Sequence, residues 1–338
     1  MIVPSRLRTG DTIGIVSPAS PVAAFCSKRF ARGVENLEKM GFSVRVAEHA
    51  TARHGHTAGT IEDRVSDIHT MFSDTDVRAI ITTIGGFNSN QLLEYLDYDL
   101  IARHPKILMG YSDITAVLLA IHKMTGLVTF LGPAIMPQFG EAGGLHRYTA
   151  EWFHAILMEP TLPIELTPSN LSIHEQLRWD TEDTRPRREE PHPGPRVLKD
   201  GVATGPIIAG NLGTMLALAS TRYFPDLDGV ILCVEDDEEE SPGTIDRFLT
   251  QLRHMGVFER IVALVVGRFH PSVGFSDRDS LRDIVLTATE GCDIPIAVDF
   301  DFGHTDPMFT LPNGVRARVD FRERARLQLL EEPVNKIG

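Results

Sequence analysis

Cysteine is scarce in this 338-residue chain: Cys26, Cys233 and Cys292 are far apart and show no CxxC spacing. A disulfide framework and a cysteine zinc site are therefore excluded, and a reducing, cytoplasmic setting is expected. Clusters of positive charge are missing too. With 33 Lys and Arg against 46 Asp and Glu, the formal net charge is −13. Binding to a phosphate backbone draws on counterion release at a basic face, so no nucleic-acid partner is expected. Long apolar runs are also absent. The most apolar stretch, around residues 114 to 136, is broken by His122, Lys123 and Gly126 and falls short of the roughly 20 residues that a membrane span needs. The first residues, "MIVPSRLRTGDTIGIV", put Asp11 where an export signal needs its apolar core. Neither export nor a membrane partner is expected.

What remains is ordinary globular composition, 42% hydrophobic and 23% charged, in a chain long enough for two domains. "DTIGIV" reads as a buried strand, and "SKRFARGVENLEKMG" follows with Phe30, Val34, Leu37 and Met40 at helical spacing. "FSVRVAE" alternates, "IEDRVSDIHTMF" puts Ile61, Val65, Ile68 and Phe72 on one helical face, and "VRAIITTIGG" is an apolar strand ending in two glycines. "NQLLEYL" is expected as the next helix. Strands alternating with helices predict a doubly wound parallel sheet, in which ligands bind outside the carboxyl ends of the strands. The domains are expected at 1–165, an α/β unit, and 201–338, a β-richer unit. The charged, proline-rich segment 166–200 between them has no periodicity and is expected as a lid or linker.

"ILMGYSDITAVLLAI" turns an apolar strand straight into a helix with Ser112 at the corner. Such a corner exposes its side chain beside free helix N–H groups and suits a nucleophile, although a serine there is also a common N-cap. A serine nucleophile needs a base and a group that orients the base. His122, His54 and His56 are expected as surface or core residues. His270, after "LVVGRF", is a candidate, and His304 is a stronger one because it lies past the strand "IAVDF" in a turn of Gly, Thr, Asp and Pro. For the acid, Glu235 opens a run of six carboxylates after the strand "GVILCV". The rest of the run reads as a solvated turn into a helix capped by Ser241 with Pro242 at its first position. Neighbouring residues on an extended chain point in opposite directions, so the run is a poor metal cage and no metal is expected.

The blocks "TTIGGFNSNQLLEYLDYDLIARHPKILMGYSDITAVLLAIHKMTGLVTFLGPAIMPQFGE", "GPIIAGNLGTM", "ILCVED" and "VDFDFGHTDPM" resemble the LD-carboxypeptidase family of serine peptidases, most closely its microcin-immunity branch. The resemblance implies a flavodoxin- or amidotransferase-like N-terminal sheet, a C-terminal α/β domain containing a small β-barrel, a homodimer and no cofactor. It implies a triad of Ser112, Glu235 and His304, with the Gly86 and Asp113 N–H groups as oxyanion hole. In the immunity branch the reaction is hydrolysis of the amide-type bond of a peptidyl- or aminoacyl-nucleotide, which detoxifies microcin C-like compounds. A tryptophan of the interdomain loop stacks on the base, here Trp179, whose plainer role is to anchor the loop. Gly85 and Asn88 of "IGGFNSN" and Asn211 of "AGNLGT" would contact the substrate, though Asn211 also reads as a turn residue. Two other functions remain open: murein LD-carboxypeptidase activity in cell-wall recycling, and a non-catalytic cleft-binding protein.

Overall fold

A computed structural model describes residues 1–336. Its first sheet is built from β1 (Thr12–Val16), β2 (Ser43–Val46), β3 (Val77–Thr82), β4 (Ile107–Gly110) and β5 (Phe130–Leu131), parallel throughout in the order 2-1-3-4-5. That is the flavodoxin-like order, whose switch point lies between β1 and β3. The inner strands β3 and β4 are almost entirely buried, as unbroken apolar runs require when helices cover both faces. Helix Ile61–Ser73 starts on a reciprocal capping box between Thr60 and Asp63 and buries Val65, Ile68, Met71 and Phe72.

The second sheet contains β6 (Ile164–Leu166), and a short hairpin of β7 (Leu171–Ser172) and β8 (Glu190–Pro191) follows β6 in the chain. The sheet then takes β9 (Arg196–Lys199), β10 (Val202–Asn211), β11 (Ile231–Glu235), β12 (Ala263–Gly267) and β13 (Ile296–Phe300). The two-residue strand β14 (Leu311–Pro312) leaves this sheet and pairs antiparallel with β5 of the first. β15 (Arg316–Asp320) and β16 (Arg326–Leu329) complete the order 6-16-15-10-11-12-13-9. β10 is long because it serves two partners: residues 202–206 pair antiparallel with β15, and residues 207–211 run parallel to β11.

The doubly wound first half and the sheet-rich second half agree with the expected fold class. The expected barrel is not closed by backbone pairing among the described residues, where strand order stays open from β6 to β9. "NQLLEYL" is not a helix either. It holds only a 3-10 turn, Ser89–Leu92, and a new helix starts at Tyr98 because Asp97 caps it, accepting from Leu100 N at 2.8 Å. Among the described residues, no helix is long and apolar enough to cross a membrane.

Candidate active site

Both sheets send their strand ends into one cleft of 520 Å³, a volume within the usual range for small-molecule sites. From the first sheet come Ser20 after β1, Gly85 and Gly86 after β3, and Ser112 after β4. Ser112 has φ of +62°, the left-handed region that costs a non-glycine residue on the order of 1–3 kcal/mol and clusters at functional sites. Its hydroxyl caps nothing: the turn at Ser112–Ile114 has no side-chain cap, and helix Thr115–Thr125 follows directly. The N-cap role is therefore not the one this serine plays. Gly85 lets the preceding loop lie against it, since a Cβ there would stand 2.8 Å from Ser112 Oγ.

The N–H groups of Gly86 and Asp113 make no turn, loop or side-chain hydrogen bond among the described residues. Their two loops are tied together by Ser89. Its N–H donates to Asp113 Oδ2 at 2.8 Å, and its hydroxyl donates to the Asp113 carbonyl at 2.5 Å. Burial raises the Asp113 pKa even though the Ser89 hydrogen bonds oppose it. Sequence reasoning missed Ser89, because the pairing spans 24 positions and no local pattern announces it.

From the second sheet, Glu235 ends β11 and His304 follows β13, with β12 between them. The two side chains meet across the end of β12 because that strand ends in Gly267, where a Cβ would fall 2.8 Å from Glu235 Cβ. Gly303, at φ +105°, leaves similar room beside the carboxylate. His304 Nδ1 and Glu235 Oε2 are 2.7 Å apart. Glu235 is 1% exposed, and its Oε1 is buried without a hydrogen-bond partner. Burial alone favours the neutral ring, but the charge and hydrogen bond of Glu235, helped by Glu238 and Asp237, push the His304 pKa up to about 9. The other ring nitrogen, Nε2, makes no hydrogen bond among the described residues. Tyr111 packs edge-on against the ring at 5.0 Å.

His270 also lines the cleft, but both its nitrogens are taken, by Ser272 Oγ and the His174 carbonyl, each at 2.7 Å. His122 is fixed to the Leu127 carbonyl at 2.9 Å, and His54 and His56 are exposed. Ser241 and Pro242 open helix Pro242–His254 as expected.

The segment expected as lid or linker forms one wall of the cleft. Its arginines hold it there. Arg187 pairs with Asp306 and, at 2.9 Å, with Glu141, which also pairs with Arg29 at 3.0 Å. Arg29 reaches Asp183 at 2.8 Å and stacks over the Trp179 ring at 4.3 Å. Trp179 thus lines the cleft with one face already covered. Gln138 Nε2 donates to Tyr111 Oη at 3.1 Å and to Asp306 Oδ1 at 3.2 Å, linking this wall to the residues beside Ser112 and His304.

Two of the residues expected at the substrate are not among those lining this cleft. Asn211 is 4% exposed and off the cleft lining; its Oδ1 accepts from Thr214 N at 2.9 Å and its Nδ2 donates to Asp236 Oδ1 at 2.8 Å. It is the cap of helix Leu212–Ala217. Asn88 precedes the 3-10 turn and offers its carbonyl to Arg64 at 3.3 Å, also off the lining. Asp236, Asp237 and Glu240 bring carboxylate oxygens within 4.8 Å of one another. Asp236 already accepts from Asn211, Gly213 and Asp237, and burial, then the Glu235 charge, raises its pKa to about 7. It is a structural acceptor.

Comparison with known proteins shows the family. Residues 13–132 match the LD-carboxypeptidase N-terminal domain, and residues 204–319 match the LD-carboxypeptidase C-terminal domain. The chain is 41% identical over 316 residues to YocD of Bacillus subtilis (strain 168), covering 94% of this chain and 95% of that protein. It is 35% identical over 323 residues to the microcin C7 self-immunity protein MccF of Escherichia coli, covering 95% and 93%. The solved structure of MccF in complex with aspartyl sulfamoyl adenosine superposes with a TM-score of 0.91 at 32% identity, covering 99% of this chain and all of that one. The chain belongs to the LD-carboxypeptidase family and is a carboxypeptidase-type enzyme of the serine peptidase class.

Proposed function

We propose that the protein hydrolyses the amide-type bond of aminoacyl- or peptidyl-nucleotides, with Ser112 as nucleophile, His304 as general base and Glu235 as the group that orients the ring. The observation that carries this reading is the 2.7 Å contact between His304 Nδ1 and Glu235 Oε2 in the wall of the cleft that Ser112 also lines. Nδ1 bonded to a carboxylate leaves Nε2 for the serine proton, the division of labour that activates a hydroxyl. Ser112 Oγ attacks the acyl carbon and passes its proton to His304. The oxyanion is met by the N–H groups of Gly86 and Asp113, one such donor being worth roughly 3–4 kcal/mol. His304 then gives the proton to the departing nitrogen. Water, deprotonated in turn by His304, releases the acyl group from Ser112.

The nucleotide half of the proposal rests on likeness to a protein whose structure holds aspartyl sulfamoyl adenosine, and on an aromatic residue in the loop wall. The uncovered face of Trp179 would stack on the base, worth roughly 1–3 kcal/mol. The test is chromatography of aminoacyl sulfamoyl adenosines, and of a murein tetrapeptide alongside, after incubation with wild type and Ser112→Ala. Release of sulfamoyl adenosine by wild type alone is the expected result. Full hydrolysis by Ser112→Ala would overturn the triad, and cleavage of the tetrapeptide alone would overturn the nucleotide substrate.

A further inference from the structure

Ser112 and His304 make the cleft a site, and the charge of its wall says which acyl groups it accepts. The turn after β11 brings Asp237, Glu238 and Glu239 into the lining, where Glu175 and Asp306 also lie. Arg187 is the one Lys or Arg in that lining, and its guanidinium is taken by Asp306 and Glu141. Glu175 is paired from outside by Arg185 at 2.7 Å and Arg188 at 3.6 Å. The turn carboxylates have only weak partners: Glu238 accepts from Gln176 at 3.0 Å and Asp237 from the Glu239 N–H at 2.9 Å, with no ion pair to any of the three among the described residues. Their field reaches the reacting groups, because Glu238 and Asp237 both help to raise the His304 pKa.

We propose that this acidic wall selects aminoacyl or peptidyl groups with a cationic side chain, of the lysyl, ornithyl or arginyl kind, and rejects aspartyl and glutamyl groups. The proposal rests on the reading of the cleft as an acyl-transfer site. A carboxylate brought into the cleft loses hydration, meets only cations already paired, Arg187 with Asp306 and Glu141 and His304 with Glu235, and faces three carboxylates that have no ion pair. A side-chain ammonium finds acceptors. The relative above was solved with an aspartyl compound, the kind of group this wall would disfavour.

The experiment measures kcat/KM for lysyl-, alanyl- and aspartyl-sulfamoyl adenosine with wild type and with the triple variant Asp237→Asn/Glu238→Gln/Glu239→Gln. The same three compounds are titrated calorimetrically into Ser112→Ala, which reads binding without turnover. Wild type should favour the lysyl over the aspartyl compound at least tenfold, with the ratio falling at 0.5 M salt as screening shortens the field's reach. The triple variant should bring it below about threefold. All three positions are exposed or half-buried, and the changes keep side-chain shape. Should the triple variant not fold, Glu239→Gln alone, at an exposed position, should still reduce the ratio about twofold. An aspartyl compound cleaved or bound as well as the lysyl one, or an unchanged ratio in the variants, overturns the proposal. If wild type cleaves none of the three yet Ser112→Ala binds the lysyl compound tenfold tighter than the aspartyl one, the acyl-transfer reading falls and the charge selection stands.

Discussion

Replacing Glu235 by Gln should cost far more activity at pH 9 than at pH 7. In the wild type the nearly inaccessible Glu235 carboxylate has one oxygen on His304 Nδ1 and the other without a partner, so the imidazolium is its main compensation. Burial of the ring works against the charged form, yet the carboxylate prevails and the pKa sits at about 9 instead of 6.5. That displacement is worth roughly 3 kcal/mol, at about 1.4 kcal/mol per pH unit. A base must be neutral to accept a proton. Wild-type kcat/KM should therefore rise about tenfold per pH unit from pH 7 and level off above about pH 9, only about 1% of the ring being neutral at pH 7. In Glu235→Gln the largest raising influence is gone and burial is opposed only by Glu238 and Asp237, so the acid limb moves to about 6.5 or below. The plateau falls by roughly 10⁴, because the imidazolium formed in the transition state has lost its counter-charge. Together these give a loss of roughly 10⁴ at pH 9 but only about 10² at pH 7. Initial rates between pH 6 and 10, with Ser112→Ala as blank, read both numbers. An equal loss at the two pH values, or a wild-type profile flat between 7 and 9, would refute the reasoning.

Two further substitutions probe the frame around the pair. Gly303→Ala forces an L side chain into φ +105° with its Cβ 2.5 Å from Glu235 Oε2; stability should fall by about 1–3 kcal/mol and kcat by at least about 10², so a kcat within threefold of wild type, by the same assay, would show that the carboxylate's position is not critical. Arg187→Met strips a buried cation from Asp306 and Glu141, whose side chains are 7% and 11% exposed. Denaturant unfolding should register a loss of about 3 kcal/mol, partly recovered in Arg187→Met/Asp306→Asn, and a change under about 0.5 kcal/mol would mean that the network contributes little.

Much of the fold was legible because parallel strands covered on both faces must be written as apolar runs, and "VRAIIT" and "ILMG" are such runs, separated by helices whose apolar residues recur every three or four positions. The crossing of β14 into the first sheet had no such signature: two residues, Leu311 and Pro312, are too few to show a period. "NQLLEYL" misled because its leucines suit a helix, while the deciding feature was the cap at Asp97 just beyond it. Ser112, Gly85, Gly86, Trp179 and His304 all line the cleft, since strand ends and turn glycines are local signals. Asn211 stands in the turn expected for it, as the cap of helix Leu212–Ala217. The Thr214 N–H three residues on is a capping distance and was the available sign that its amide was already used. Gln138, Arg187 and Asp306 had no local sign at all: the contacts that give them meaning span 27 to 168 positions.

The arginines of residues 166–200 show how charge read from composition can mislead about charge at a site. The sequence shows five arginines there but not their partners. In the fold Arg185 and Arg188 are consumed by Glu175, and Arg187 by Asp306 and Glu141, so the wall they build is electrically quiet and the unpaired carboxylates of the β11 turn dominate the cleft. An anionic ligand that drew Arg187 away from Asp306 would do so two residues beyond His304. Asp306 would then rely on Gln138 alone among its side-chain partners, and the turn that carries the histidine would lose its tie to the loop wall. A cationic ligand imposes no such exchange. The loop arginines and the acidic turn therefore disfavour the same substrates for separate reasons, one through the field and the other through the positioning of His304.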